Sequence, residues 1–187
     1  PNPIYSQKFI NRITTGNLED DLHKISEFDW IVEVVVENIN IKKQVFENIE
    51  KYRKKGTIVT SNTSGIPIEK MIDGRSEDFQ KHFCGTHFFN PPRYLRLLEL
   101  VKGPKTSDEV YHTLTEFGET TLGKGIVHAK DTPGFIGNRL INASGPLTFH
   151  KAMEFGLTVE DVDALSGTLI GNAKSAYFRT QDVVGLD

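Results

Sequence analysis

Trp30-Ile31-Val32-Glu33-Val34-Val35-Val36 reads as a strand, because β-branched and aromatic residues suit an extended, half-packed backbone. It is mostly apolar rather than alternating, the pattern of a strand buried on both faces of a parallel sheet. The next segment, Ile41 to Lys54, carries Val45, Phe46 and Ile49 on one helical face. Thr57-Ile58-Val59-Thr60-Ser61 then reads as a second strand. Strand, helix and strand in succession imply a right-handed crossover within an α/β sheet.

Upstream of this unit, Ile10 to Thr15 is a short strand candidate. Asn17 to Ser26, with Leu18, Leu22 and Ile25 at helical spacing, predicts a short helix. Downstream, Cys84 to Phe89 and Leu95 to Val101 are strands held apart by a rigid turn at Pro91 and Pro92. Ser107 to Leu122 predicts a helix and Gly125 to Ala129 a last strand. After Pro133 the periodicity is helical, over Phe135 to Phe155 and Val159 to Leu169. The expectation is an α/β domain over residues 1–129 and an all-α domain over 130–187, with the boundary near Lys130.

The composition excludes several classes of function. The chain has 187 residues, 37% of them hydrophobic and 25% charged, with a formal net charge of -3. Nothing in that balance favours nucleic acid or an anionic membrane surface. No apolar run approaches the roughly 20 residues of a membrane span, and no charged-then-apolar signal segment opens the chain. Cys84 is the single cysteine, so no internal disulfide forms. A cytoplasmic location follows as the expectation. The chain opens at Pro1 and stops at Asp187 after an apolar run, which reads as an internal fragment of a longer polypeptide.

The chemistry-bearing residues cluster between positions 61 and 99. His87 lies within Thr86-His87-Phe88-Phe89, where an unpaired imidazole would be costly to bury. Its ordinary pKa of about 6.5 suits a general base near neutral pH. Glu99, twelve positions on within Leu97-Leu98-Glu99-Leu100-Val101, also needs a partner. If these two strands are adjacent and antiparallel, the pair meets, and the carboxylate would stabilise the imidazolium after proton uptake. The residues alone leave a structural pair and a catalytic pair both open. Asn62, Thr63 and Ser64 follow a strand, as do Glu37 and Lys42, and ligands of open α/β sheets sit beyond the carboxyl ends of strands. Ordinary turn residues and solvated charges account for both groups more simply. Cys84 fits a small buried apolar residue better than a nucleophile. No metal-ligand spacing and no Gly-x-Ser-x-Gly elbow is present, so neither a metal site nor a serine hydrolase is expected.

Five segments together resemble the NAD-dependent 3-hydroxyacyl-CoA dehydrogenases. They are Val32-Glu33-Val34-Val35-Val36-Glu37-Asn38, Ser61-Asn62-Thr63-Ser64, His87-Phe88-Phe89-Asn90-Pro91, Leu97-Leu98-Glu99, and Asp131-Thr132-Pro133-Gly134-Phe135-Ile136 continuing to Asn138-Arg139. The likeness covers nearly the whole chain. Pro92-Arg93-Tyr94-Leu95, Leu122-Gly123-Lys124-Gly125 and the stretch from Lys174-Ser175-Ala176 to Asp187 look closest to the bacterial multifunctional branch, in which the dehydrogenase is fused to an enoyl-CoA hydratase.

The resemblance implies the later part of a Rossmann-like NAD-binding domain, followed by the start of an all-α substrate and dimerisation domain. It implies oxidation of a (3S)-3-hydroxyacyl-CoA to a 3-oxoacyl-CoA in fatty-acid β-oxidation. His87 would take the hydroxyl proton and Glu99 would orient and stabilise it. Ser64 and Asn138 would hold the substrate oxygen and thioester end. Glu37, Lys42, Asn62 and Asn90 would lie around the nicotinamide end of NAD. The implied partners are an acyl-CoA, a second copy in a full-length homodimer, and a fused hydratase.

Departures from the family pattern are specific. The family's Gly-x-Gly-x-x-Gly turn, which brings backbone to the pyrophosphate at a helix N-terminus, does not occur here. Weak or absent NAD binding and no activity are therefore expected of this chain by itself. Gly65 stands where many members carry Ser. Gly171-Asn172-Ala173-Lys174 replaces a Pro-Met-Gly-Pro-like stretch. Two rival readings are a non-catalytic, crystallin-like relative of the same fold and a hydroxyacid dehydrogenase with a lysine base. Joint retention of His87, Glu99, Ser64 and Asn138 argues against the first, and the His–Glu spacing against the second.

Overall fold

The computed structural model describes Ile4 and residues 6–184. Gly185–Asp187, which end the segment of multifunctional-branch likeness, lie outside the described residues. Five strands form one sheet in sequence order: β1 (Trp30–Glu33), β2 (Ile58–Ser61), β3 (Phe83–Phe88), β4 (Leu97–Lys102) and β5 (Gly125–Ala129). β1, β2 and β3 run parallel, β4 is antiparallel to β3, and β5 is parallel to β4. The crossovers are helical. α1 (Ile39–Tyr52) joins β1 to β2, α2 (Ile68–Ile72) and α3 (Glu77–Lys81) join β2 to β3, and α4 (Asp108–Thr120) joins β4 to β5. The result is an α/β, Rossmann-like sheet followed by helices.

The alternation of side chains along β3 and β4 sorts two cores. Phe83 and Val101 pack with Phe46 and Ile49 of α1, Ile68, Met71 and Ile72 of α2, and Phe79 of α3. Phe79 stacks on Phe83, with ring centroids 5.7 Å apart, and Phe46 meets both rings edge-on. The intervening residues Cys84, Leu98 and Leu100 face the other way, onto Val110 and Leu114 of α4. His87 and Glu99 belong by parity to the first face, the one covered by α1 to α3.

Local signals fix the helix starts. Asn38 caps α1 by accepting from the Asn40 and Ile41 amides. Ser76 caps α3 and Ser107 caps α4. Thr158 and Asp161 close a capping box on α6 (Val159–Ser166). α5 (Gly137–Glu154) and α7 (Phe178–Val184) complete the helices. The chain divides into two compact units, residues 1–138 and 139–187. No helix among the described residues is long and apolar enough to cross a membrane.

Three sequence expectations are corrected. Ile10 to Thr15 is not a strand. Gln7–Arg12 is a 3-10 helix capped by Ser6, and Ile10 and Ile13 stay exposed. The helix expected over Asn17 to Ser26 shrinks to a 3-10 turn, Leu22–Glu27, because the Asn17 side chain takes the Glu19 and Asp20 amides into a turn of its own. β1 is shorter than the apolar run and is not buried on both faces. Among the described residues it pairs only with β2, and Val34 and Val36 are exposed beyond its end.

Candidate active site

The ends of β1 and β2 and the β3–β4 pair meet at one place. The register sets His87 directly opposite Glu99, so their side chains rise side by side on one face. His87 Nδ1 lies 2.7 Å from Glu99 Oε2. Both groups are buried, Glu99 completely. The second oxygen of Glu99 accepts from the amides of Ile136 (2.9 Å) and Gly137 (2.7 Å), at the start of α5. A helix N-terminus is a natural place for a carboxylate, so the buried charge is matched by backbone as well as by imidazole. The imidazole is walled by Phe89, at 4.5 Å between ring centroids, and by Phe135, at 5.6 Å.

An ionised carboxylate only accepts, so Glu99 fixes the proton on Nδ1 and leaves Nε2 as an acceptor. Nε2 lies 3.3 Å from the Ser64 hydroxyl. Ser64 is exposed, on the loop that leaves β2. A base faces outward there, beside a second hydrogen-bonding oxygen.

The Ser64 loop is itself tightly held. Asn62 accepts the Phe88 amide at 2.9 Å, tying the loop to β3 next to His87. Thr63 Oγ1 accepts the amide of Ile66 and donates to Glu37 Oε1 at 2.5 Å. The Ser64 amide donates to the same Glu37 oxygen at 2.9 Å. Partial burial pushes the Glu37 carboxyl up, but the bonds from Thr63, Ser64 and Lys42 outweigh it and hold it below the ordinary carboxylate range. Lys42 is 1% exposed. Its ammonium contacts both oxygens of Glu33, at 2.8 and 3.0 Å, and lies 3.3 Å from Glu37.

His87, Glu99, Ser64, Asn62, Glu37 and Lys42 thus form one connected group. Asn138 is half-buried in the first turn of α5, next to Gly137. Asn90 is exposed, at the start of the loop that follows β3, outside this hydrogen-bonded group. The structure adds Glu33, Phe135 and Gly137 to the residues that matter. Glu33 had a readable signal, a carboxylate inside an apolar strand, which demands a buried partner. Gly137 had none, since its need arises from a distant ring. Cys84 is fully buried on the opposite face of the sheet, and burial pushes its thiol up to about 12, so it is no nucleophile. Among the described residues no group of three or more His, Cys, Asp or Glu side chains is arranged to hold a metal ion.

Residues 3–132 match the family described as 3-hydroxyacyl-CoA dehydrogenase, NAD binding domain. The chain belongs to the 3-hydroxyacyl-CoA dehydrogenase family. It is 52% identical over its whole length to a Bacillus subtilis protein named "Probable 3-hydroxyacyl-CoA dehydrogenase", covering 24% of that protein. It is 37% identical, again over its whole length, to a Rickettsia prowazekii protein named "Putative fatty acid oxidation complex trifunctional enzyme", covering 26% of it. The chain therefore spans about a quarter of each of these relatives. Among solved structures, FadB2 of M. tuberculosis superposes with a TM-score of 0.77 at 32% identity, over 88% of this chain and 57% of that one. In this dehydrogenase family setting, the His87–Glu99 pair lies on the sheet face beneath α1 to α3, at the carboxyl end of β3.

Proposed function

We propose that this chain supplies the proton-transfer centre of an NAD-dependent oxidation of (3S)-3-hydroxyacyl-CoA to 3-oxoacyl-CoA, a step of fatty-acid β-oxidation. One observation carries the reading. A buried imidazole has one nitrogen held by a carboxylate at 2.7 Å and the other turned toward the exposed Ser64 hydroxyl. That is the arrangement of a base whose tautomer is fixed and whose charged form is stabilised.

The residues divide the work as follows. His87 Nε2 takes the proton of the 3-hydroxyl, and in the reverse direction returns it. Glu99 stabilises the resulting imidazolium and orients the ring. Ser64 holds the same substrate oxygen, and Asn138 binds the thioester end. Glu37 and Asn62, with Asn90, surround the nicotinamide end, and Lys42 acts there through Glu37 rather than from an exposed position. Glu37, Asn62 and Asn90 would hold the nicotinamide end of NAD, which would supply the hydride acceptor for this oxidation.

The residues present fit the nicotinamide half of that cofactor. β1 and β2 end side by side in register, Glu33 beside Ser61, so the polar residues that follow them, Glu37 and Asn62 among them, lie beyond the strand ends. The sequence holds no Gly-x-Gly-x-x-Gly turn for the pyrophosphate. Within this proposal, residues 1–129 are the NAD-binding part and residues 130–187 the start of the helical substrate and dimerisation part. A homodimer, a fused enoyl-CoA hydratase and a cytoplasmic location belong to the same reading.

The test is NADH formation from (3S)-3-hydroxyacyl-CoA. The protein to assay carries this sequence joined upstream to a glycine-rich dinucleotide-binding segment and downstream to a complete helical domain. Its His87→Gln variant should lose on the order of 10²- to 10⁴-fold in turnover. No turnover in a folded, NAD-binding protein would overturn the proposal and favour a non-catalytic relative. Calorimetric titration of the 187-residue chain with NAD should give weak or no binding.

A further inference from the structure

We propose that Glu33 is a positioning residue for the His87 centre, acting through two separate routes on the Ser64 loop. The inference rests on the reading of His87 and Ser64 as the reacting site.

Glu33 is the last residue of β1 and its side chain is fully buried. Its carboxylate is saturated. Oε1 accepts from Lys42 Nζ at 2.8 Å and from the Val35 amide at 2.6 Å. Oε2 accepts from Lys42 Nζ at 3.0 Å and from the Ser61 hydroxyl at 2.6 Å. A buried carboxylate so fully satisfied is held in one geometry, and so are the groups it binds.

The first route runs through charge. Glu33 seats Lys42, and Lys42 lies 3.3 Å from Glu37. Glu37 in turn takes the Thr63 hydroxyl and the Ser64 amide on one oxygen. The second route runs through β2. Ser61, oriented by Glu33, accepts the Thr63 amide at 3.2 Å. The Glu33 carbonyl also accepts the Asn62 amide at 2.9 Å. Both routes converge on the residues that set the Ser64 hydroxyl 3.3 Å from His87 Nε2.

Replacing Glu33 by Gln puts an amide where four hydrogen bonds converge on two oxygens. Whichever way the amide turns, its nitrogen opposes Lys42, donor against donor, together with either the Val35 amide or the Ser61 hydroxyl. Lys42 loses its nearest counter-charge and draws on Glu37, which releases the Thr63 and Ser64 donors.

The decisive measurement is NMR of the 187-residue chain and its Glu33→Gln variant. The readouts are the Ser64 and Thr63 amide signals and the His87 imidazole nitrogens. Expected is an upfield move of both amide protons and a changed His87 Nε2 shift, with the Leu100 and Leu114 methyl signals of the opposite core unmoved. In a Glu37→Gln background the same change should displace the Ser64 amide less than it does alone, because the first route is already cut. Ser61→Ala removes only the second route and serves if Glu33→Gln does not fold. It should move the Thr63 amide and His87 Nε2.

Unmoved Ser64 and His87 signals in a folded Glu33→Gln chain would overturn the inference, as would displacement spread evenly over both cores. The readout needs no substrate, so it separates from the dehydrogenase assay. Displacement at His87 in a protein that never turns over would support the linkage and count against the dehydrogenase reading alone. In an active protein, Glu33→Gln should lower kcat on the order of 10- to 100-fold, the scale of a misplacement of about 1 Å, with KM for the acyl-CoA little changed.

Discussion

Gly137 lies so close to Phe89 that a β-carbon on it would sit 2.6 Å from the ring's Cζ. The contact lets the start of α5 reach Glu99 with two amides while Phe89 walls His87. Gly137→Ala forces one of the three to move. Overpacking of this kind costs about 1–3 kcal/mol, which urea unfolding would measure. In an active protein turnover should fall as well, because the Ile136 and Gly137 amides that bind Glu99 shift with the helix.

Glu99→Gln keeps the shape of the side chain and removes its charge. The buried imidazole then loses the group that stabilises its protonated form. Turnover in an active protein should fall at least 10²-fold. Glu99→Ala should also destabilise the fold by about 3–5 kcal/mol, since it leaves buried donors unpaired. Unaltered turnover in Glu99→Gln would remove Glu99 from the proton-transfer step.

Two carboxylates should part company in acid. Glu37 is held below the ordinary range, so its grip on the Ser64 amide persists as pH falls through about 4.5 and is lost only lower. The stability it contributes is therefore present above the unfolded value and disappears through the depressed one. Asp131 accepts the Ile68 amide, but burial raises its carboxyl. Its stabilising protonated form is lost as pH rises through the raised value. Amide shifts followed through an acid titration should change at Ser64 with a midpoint below about 4.5 and at Ile68 with a midpoint above about 3.8.

The Cys84 thiol, pushed up to about 12, should stay protonated and unreactive toward a thiol reagent in the native protein at pH 8, and react fully on unfolding. The sign on stability is the reverse of Glu37. The folded form keeps the proton longer, so stability should begin to fall above about pH 9, the ordinary thiol value, as the unfolded chain ionises.

Phe79→Ala should cost about 3–5 kcal/mol in urea unfolding. Phe79 is fully buried in the ring cluster with Phe46 and Phe83 that seats α1 and α3 on the sheet. That face also carries His87, so the same variant should broaden the His87 imidazole signals.

The main elements were legible because each carries its own periodic signal. β5 spans the residues expected of it, and α1, α4 and α5 fall within two residues of theirs at each end. His87 and Glu99 stood out as polar groups inside apolar runs, and the antiparallel pairing their meeting required is present. Other features had no local signature. The exposure of Val34 and Val36 depends on which strands flank β1, not on their own sequence. The Ile10 to Thr15 run has strand composition, but its first residues lie in a 3-10 helix capped by Ser6. The burial of Lys42 follows only from the position of Glu33 nine residues earlier.

The directly opposed register of β3 and β4 ties correct folding to competence. Side chains alternate with a period of two, so a slip of β4 by one residue would bring Leu98 or Leu100 beneath His87 and turn Glu99 into the apolar layer under α4. The slipped chain would bury an unmatched carboxylate and leave the imidazole without its anchor. The misregistered state is thereby disfavoured by the same two side chains on which proton transfer would depend. A population that has passed the folding transition should contain few molecules that are well packed and yet inert.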